Sequence, residues 1–129
     1  MTEPKAQRFV LQLHYEMFVS WWRALGQPPP PVEALPQSGF IVPDAAAGFL
    51  YRTDSCLAVV EGLIANPQLS GALRSQAIDL VTAALIDEAK RLGFKNLTAS
   101  TTSSAVVTRA QSFGFSVLPG LYRVVARIL

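Results

Sequence analysis

The strongest hydrophobic pattern runs from Cys56 to Phe115 and switches between the period of a strand and that of a helix. The residues from Cys56 to Ile64 are almost all apolar, which predicts a strand covered on both faces. A polar loop follows. Apolar residues then recur at the spacing of one helix face, at Leu73, Ala77, Leu80, Val81, Ala84, Leu85, Ala89 and Leu92. Gly93 ends this predicted helix, because glycine readily takes the left-handed conformation that closes a helix.

A second strand and a second helix complete this block. The residues from Asn96 to Ser100 predict a short strand, and Ser103 or Ser104 is expected to cap the helix that follows. The apolar face of that helix consists of Val106, Val107, Ala110 and Phe113. The block therefore alternates strand, helix, strand and helix.

The chain before this block predicts a strand over Gln7 to Leu13 and a helix over His14 to Leu25. The apolar face of the helix is aromatic and consists of Tyr15, Phe18, Val19 and Trp22. This spacing places Trp22 in the core and leaves Trp21 free to line a pocket or a subunit contact. Because the run Pro28 to Pro31 cannot lie inside a helix, a stiff loop should follow.

Two hairpins are also predicted. Phe40 to Val42 and Ala46 to Tyr51 are apolar runs joined by a Pro-Asp turn, and they should pair antiparallel beside the strand at Cys56. Phe115 to Leu118 and the alternating run Leu121 to Leu129 flank a Pro-Gly turn and predict a final hairpin.

Composition bounds the class of protein. A chain of 129 residues, half of them apolar, suits one α/β domain over residues 1–129. A net charge of +2 without a basic run argues against a nucleic-acid partner. The start of the chain does not resemble a signal peptide, and no apolar run is long enough for a bilayer, so we expect a cytoplasmic protein with no membrane partner. The single cysteine, Cys56, is expected to be a buried apolar residue, and no metal site is predicted.

The order of these elements, with two motifs, resembles the GNAT superfamily of acyl-coenzyme A N-acyltransferases. Ile64 to Pro67 resembles the end of the family's fourth strand, and Arg74 to Asp79 resembles its cofactor loop. The resemblance covers nearly the whole chain. It implies a mixed, mostly antiparallel sheet of six to seven strands flanked by helices, in the order β-α-β-β-β-α-β-α-β-β.

The resemblance also implies a cofactor, acetyl-coenzyme A or another acyl-coenzyme A (acyl-CoA). A helix N-terminus can hold its phosphates with unpaired N–H groups. The residues implied in cofactor binding are Leu63, Ile64, Arg74, Ser75, Gln76, Ala77 and Ser103. An alternative start of the loop, Gln68 with Gly71, leaves Leu73 at the last motif position. Asp79 departs from the family pattern, because it would bring a negative charge beside the phosphates.

Acyl transfer to an amine requires a base, and Glu61 is the one charged residue in its predicted strand. Burial there would raise the pKa of Glu61 toward the working pH, as a general base requires; a wet cleft or an arginine pair is the alternative. A strand bulge at Gly62 or Leu63 would expose an N–H group that polarises the thioester carbonyl. The lone His14 is interpreted as a surface or capping residue rather than an acid or base.

The leading hypothesis is an acyl-CoA-dependent N-acyltransferase, most simply an acetyltransferase, that acts on an unidentified amine. Ala77, Asp79 and Ala110 favour the alternative, a catalytically inactive GNAT-like binding or assembly protein, since the family usually has a tyrosine at the position of Ala110 to protonate the leaving thiolate. A third hypothesis is an adaptor that docks partners through its proline run and Trp21. Arg123 and Arg127 are interpreted as a solvated strand face. The analogy with the superfamily also allows a homodimer.

Overall fold

A five-stranded sheet with helices on both faces forms the body of the protein. The computed structural model describes residues 3–101, 103–120 and 123–129. The elements are β1 (Gln7–Arg8), α1 (Leu11–Ala24), a 3₁₀ turn (Val32–Ala34), β2 (Ser38–Val42), β3 (Ala46–Arg52), β4 (Leu57–Ala65), α2 (Gly71–Arg91), β5 (Asn96–Thr98) and α3 (Ser104–Ser112). The strands lie in sequence order, antiparallel from β1 to β4, while β5 is parallel to β4. The predicted mixed, mostly antiparallel class is confirmed.

Helix α2 packs one apolar stripe against one face of the sheet. Ala77, Val81, Leu85 and Ala89 are all 5% exposed or less and meet Leu50 of β3. Gly48 permits this close packing, because a Cβ there would come within 3.1 Å of Val81 and 3.2 Å of Leu85 in α2. In the described ranges no helix has both the length and the apolarity needed to cross a membrane.

Helix α1 packs on the opposite face through a cluster of aromatic rings. Phe18 makes edge contacts with Phe49 of β3 and with Phe9, at centroid distances of 5.4 and 5.6 Å. His14 accepts a hydrogen bond of 2.9 Å from the N–H group of Val10 through Nδ1. This bond satisfies an N–H group at the start of the helix, so His14 is a capping residue, as the sequence favoured.

The start and the buried face of α1 differ from the prediction. The helix begins at Leu11 rather than His14, and β1 contains only Gln7–Arg8. Its buried face includes Trp21, 4% exposed, whereas Trp22 is only partly buried, which is the reverse of the expectation. The helix has apolar residues on more than one face, so spacing alone did not fix which tryptophan turns inward.

The predicted final hairpin does not form, and the prediction of six to seven strands is wrong for the described residues. Residues 115–118 and 123–129 have no regular secondary structure, and Leu121 and Tyr122 lie outside the described ranges. Val124, Val125 and Ile128 are 91%, 91% and 95% exposed. Alternation favours a strand, but a strand also requires a neighbour that takes its backbone hydrogen bonds.

The prediction that Cys56 is a buried strand residue is wrong. The residue is exposed and lies just before β4. Its carbonyl accepts hydrogen bonds from the N–H groups of Lys95 and Asn96, at 2.8 and 3.1 Å. The apolar run in the sequence begins at Cys56, one residue before the strand itself begins at Leu57. Cys56 therefore marks the start of the pairing between β4 and β5.

A buried carboxylate joins the first strand to α2. Glu88 is 4% exposed and binds Arg8 at 2.7 Å and Arg91 at 2.6 Å. The hydrogen bond from Arg8, with a smaller contribution from Arg91, lowers the pKa of Glu88 to about 2. This cluster holds β1 against the helix, although β1 itself has only two paired residues.

Candidate active site

The last two strands separate partway along their length. β4 pairs with β5 only from Leu57 to Val59, opposite Asn96 to Thr98. β4 continues to Ala65, so from Val60 onward it has no neighbour on the β5 side within the described residues. The separation leaves a cleft at the end of β4 in which backbone groups of this strand can meet a ligand.

β4 also bulges within the cleft. Phe49 of β3 lies opposite Glu61 and Ala47 lies opposite Ile64, so Gly62 and Leu63 together face a single residue of β3. Gly62 has a φ of +68°, which favours glycine. The family resemblance implied an exposed N–H group at Gly62 or Leu63, and the register shift between β3 and β4 falls at these two residues.

The loop after β4 delivers the chain to the start of α2. Asn66 donates a hydrogen bond of 2.9 Å to the carbonyl of Asp44 and accepts one of 3.0 Å from the N–H group of Gln68. The Ser70 hydroxyl caps the helix by accepting a hydrogen bond of 3.3 Å from the N–H group of Leu73. The loop is therefore tied to the turn between β2 and β3.

The first helical residues form the candidate anion site. No group in the described ranges accepts a hydrogen bond from the N–H groups of Gly71 or Ala72. A Cβ on Gly71 would find only the Arg74 guanidinium, at 3.8 Å, so the backbone is open to close approach. The positive end of the helix dipole also lies here. These features fit a phosphate group.

The cofactor loop predicted over Arg74 to Asp79 is wrong, because these residues lie inside α2. The N–H group of Arg74 already bonds to the carbonyl of Ser70 at 3.0 Å, and Ala77 is 3% exposed in the core. Arg74, Ser75, Gln76 and Ala77 therefore offer no free backbone donor. The alternative start, Gln68 with Gly71, matches the observed helix terminus. The cap at Ser70 was the signal that could have identified it.

Asp79 does not adjoin this anion site. It lies eight residues after Gly71, which corresponds to about 12 Å along a helix. Its carboxylate binds Arg109 of α3 at 2.6 Å, and Arg109 also donates to the carbonyl of Ser75 at 3.1 Å. The aspartate that departs from the family motif therefore joins two helices.

Ser103 and Ala110 lie at the two ends of α3. Ser103 caps the helix by accepting the N–H group of Val106 at 3.3 Å, so its side chain has a structural partner. Ala110 lines an apolar groove of about 60 Å³ between β4, β5, α2 and α3. Neither residue places a hydroxyl donor in the groove.

Glu61 lies beside the bulge on the α1 face of the sheet. Its side chain is exposed, so the burial considered for this residue is not found. Burial, and then the negative charge of Glu61, raise the pKa of Tyr51 above its ordinary value. The carboxylate is thus close to the phenol and accessible from solvent.

Two tyrosines that sequence reasoning missed hold the proline loop over this face. Tyr15 donates to the carbonyl of Pro30 and Tyr51 donates to that of Ala34, each at 2.9 Å. Leu35 of the same loop packs into the aromatic core. The loop therefore forms a fixed wall on the side of the sheet where Glu61 lies.

Comparison with known proteins gives the same picture of the fold. No family model matches the chain, and no curated protein matches its sequence. Glucosamine-6-phosphate N-acetyltransferase from Arabidopsis thaliana superposes with a TM-score of 0.72 at 13% identity, over 96% of this chain and 99% of that chain. A Mycobacterium tuberculosis protein solved in complex with CoA superposes with a TM-score of 0.71 at 15% identity, over 94% of this chain and 76% of that chain. A GNAT family protein from Streptococcus pneumoniae superposes with a TM-score of 0.59 at 14% identity, over 98% of this chain and 100% of that chain. The chain therefore has the GNAT fold.

Proposed function

We propose that this protein is an acyl-CoA-dependent N-acyltransferase, with acetyl-CoA as the simplest donor and an amine as the acceptor. The observation that carries the proposal is the pair of N–H groups at Gly71 and Ala72, which have no acceptor among the described residues, together with the bulged and separated β4. One structural neighbour was solved with CoA, and others are acetyltransferases, which supports the same chemistry.

The cofactor would lie along the cleft between β4 and β5. The N–H groups of Gly71 and Ala72 bind its diphosphate, with the exposed Arg74 side chain nearby as a cation. Backbone groups of Leu63 and Ile64 bind the arm that carries the thioester. Acyl-CoA supplies an activated acyl group, and the protein supplies its placement.

The acceptor amine would approach from the α1 face. Glu61 removes a proton from the ammonium form, so that the free amine attacks the thioester carbonyl. An N–H group at the bulge of Gly62 and Leu63 stabilises the oxygen as it gains charge. The C–N bond forms, the C–S bond breaks, and the nitrogen loses its second proton to water as the amide forms. The thiolate takes its proton from water, since Ala110 has no donor.

A single substitution at the helix start tests cofactor binding. Gly71→Pro removes one N–H group at the first helical position, where proline is well tolerated. Ser70, with φ −60° and ψ 157°, already has the extended conformation required before a proline. Gly71→Ala is the matched control, since it keeps the N–H group and its Cβ has room.

The measurement is calorimetric titration of acetyl-CoA into the protein and both variants. Gly71→Pro should weaken binding by about tenfold or more, the value of a charge-assisted hydrogen bond, and Gly71→Ala should weaken it less. Failure of the unmodified protein to bind acetyl-CoA at millimolar concentration would contradict the proposal.

The second candidate is a GNAT-fold binding protein without catalysis. Ala110 favours it, because this residue has no hydroxyl to protonate a leaving thiolate, and the hydroxyl of Thr82, which also lines the groove, already donates to the carbonyl of Ile78. The two functions are separated by thiol release: an enzyme liberates free CoA from acetyl-CoA in the presence of an amine panel, whereas a binding protein holds acetyl-CoA without turnover.

A further inference from the structure

The face of the sheet that carries Glu61 also carries an open apolar patch. Tyr51 of β3 lies opposite Val59 of β4, and Leu57 lies two residues before Val59 on the same face. These three side chains are only partly buried, whereas α1 fully buries Phe49 on the same face. The apolar patch (Tyr51, Leu57 and Val59) is therefore open to a ligand.

Glu61 adds a single negative charge at the end of the apolar patch. It lies two residues after Val59 on the same face, which corresponds to about 7 Å along a strand. Its carboxylate is exposed and forms no ion pair with any of the described residues. Burial, and then the charge of Glu61, raise the pKa of Tyr51, so the carboxylate lies near the phenol. An unpaired carboxylate thus borders an apolar surface.

The charges on this face discriminate between classes of amine. Among the described strand residues that share the face, Glu61 is the one that carries a charge. An amine that also carries a phosphate or a carboxylate would therefore find no cation on these strands, and its anion would lose water without a partner. Glu33 of the 3₁₀ turn is exposed, so a diamine that reaches both carboxylates is the competing ligand.

We propose that the acceptor is a primary amine with one positive charge and an apolar aryl or alkyl body. The ammonium group binds Glu61, and the body covers the apolar patch; a short link between amine and ring spans the distance between them. The Tyr51 hydroxyl donates to the carbonyl of Ala34, so the ring of Tyr51 and not its hydroxyl contacts the ligand. This inference rests on the proposed function and names the class of its acceptor.

The first experiment measures binding without turnover, by calorimetric titration in the presence of CoA, which has no acyl group to transfer. Phenethylamine should bind at least about tenfold more tightly than ethylamine, which lacks the ring, and than phenethyl alcohol, which lacks the charge. Putrescine, a diamine, and phosphoethanolamine, an amine with a phosphate, should also bind more weakly than phenethylamine.

A matched pair of variants identifies the surface. Val59→Thr keeps the shape of the side chain but replaces a methyl group with a hydroxyl. It should reduce the preference for phenethylamine over ethylamine by about fourfold, the effect of one lost apolar group. Val10→Thr makes the same change at a position that is 40% exposed and precedes α1, so the preference should stay unchanged.

Initial rates of CoA release from acetyl-CoA with the same amines separate this inference from the proposed function. Phenethylamine that binds as expected but is not acylated would support the ligand class and contradict catalysis. Tighter binding or faster acylation of putrescine or phosphoethanolamine would overturn the inference and leave the acyltransferase proposal intact. Equal binding of phenethylamine and ethylamine, or equal effects of Val59→Thr and Val10→Thr, would also overturn it.

Discussion

Arg109 on α3 donates a hydrogen bond of 2.6 Å to Asp79 on α2 and a second, of 3.1 Å, to the carbonyl of Ser75. This contact changes the meaning of the acidic residue at position 79. In the sequence motif it would repel phosphate, but in the structure it faces another helix, about 12 Å along α2 from the anion site. The contact positions α3 rather than the cofactor.

Asp79→Asn should therefore reduce stability without tightening cofactor binding. The pair is partly exposed, with side-chain exposures of 50% for Asp79 and 27% for Arg109, so its loss should cost about 0.5 kcal/mol. Urea denaturation of Asp79→Asn, Arg109→Gln and the double variant isolates the coupling of the pair. Tighter binding of acetyl-CoA by Asp79→Gly would show instead that the aspartate acts on the phosphates.

Glu61→Gln should lower turnover by at least about tenfold, because the amide cannot accept the proton of the ammonium group. Cofactor affinity and stability should stay unchanged, since the side chain is exposed. Initial rates of CoA release measure the effect, and Glu16→Gln, at an exposed position on α1, is the control. Equal rates for Glu61→Gln and the unmodified protein would exclude Glu61 as the base.

Gly62→Ala should weaken both stability and catalysis. At a φ of +68° an alanine is strained by about 1–2 kcal/mol, and its Cβ would meet the Phe49 ring at 3.1 Å. Gly26→Ala is a matched control, with a φ of +71° and no atom near its Cβ. Thermal denaturation should show a loss in both variants, whereas turnover should fall only in Gly62→Ala. A similar fall in turnover for Gly26→Ala would mean that lost stability, not the bulge, limits the rate.

The free energy of unfolding should depend on pH through the carboxylate of Glu88. Its pKa in the folded state is about 2, below the ordinary 4.5, so its contribution is complete above about pH 4.5 and is lost as the pH falls toward 2. Glu88→Gln should cost about 1–3 kcal/mol at neutral pH, because Arg8 and Arg91 both lose a charged partner. Urea denaturation at several pH values should show the difference between the two proteins shrinking below pH 4.5. A constant difference would contradict the low pKa.

Local pattern determined much of this protein. The 3.6-residue period from Leu73 to Leu92 predicted α2 and its buried face, and the runs around the Pro-Asp turn predicted the β2–β3 hairpin. Glycine marked the ends of helices at Gly26, Gly93 and Gly114, because a positive φ leaves few other choices. These features depend on residues that are near one another in the chain.

Tertiary contacts decided the rest. The partner of Asp79 is thirty residues away in α3, and in the described part of the chain β4 continues beyond its pairing with β5. An alternating sequence was not sufficient to make residues 123–129 a strand, because pairing requires an edge supplied by another part of a fold. The sequence thus specified elements and their faces, while the separation of β4 from β5, and with it the candidate site, arose only when the elements packed together.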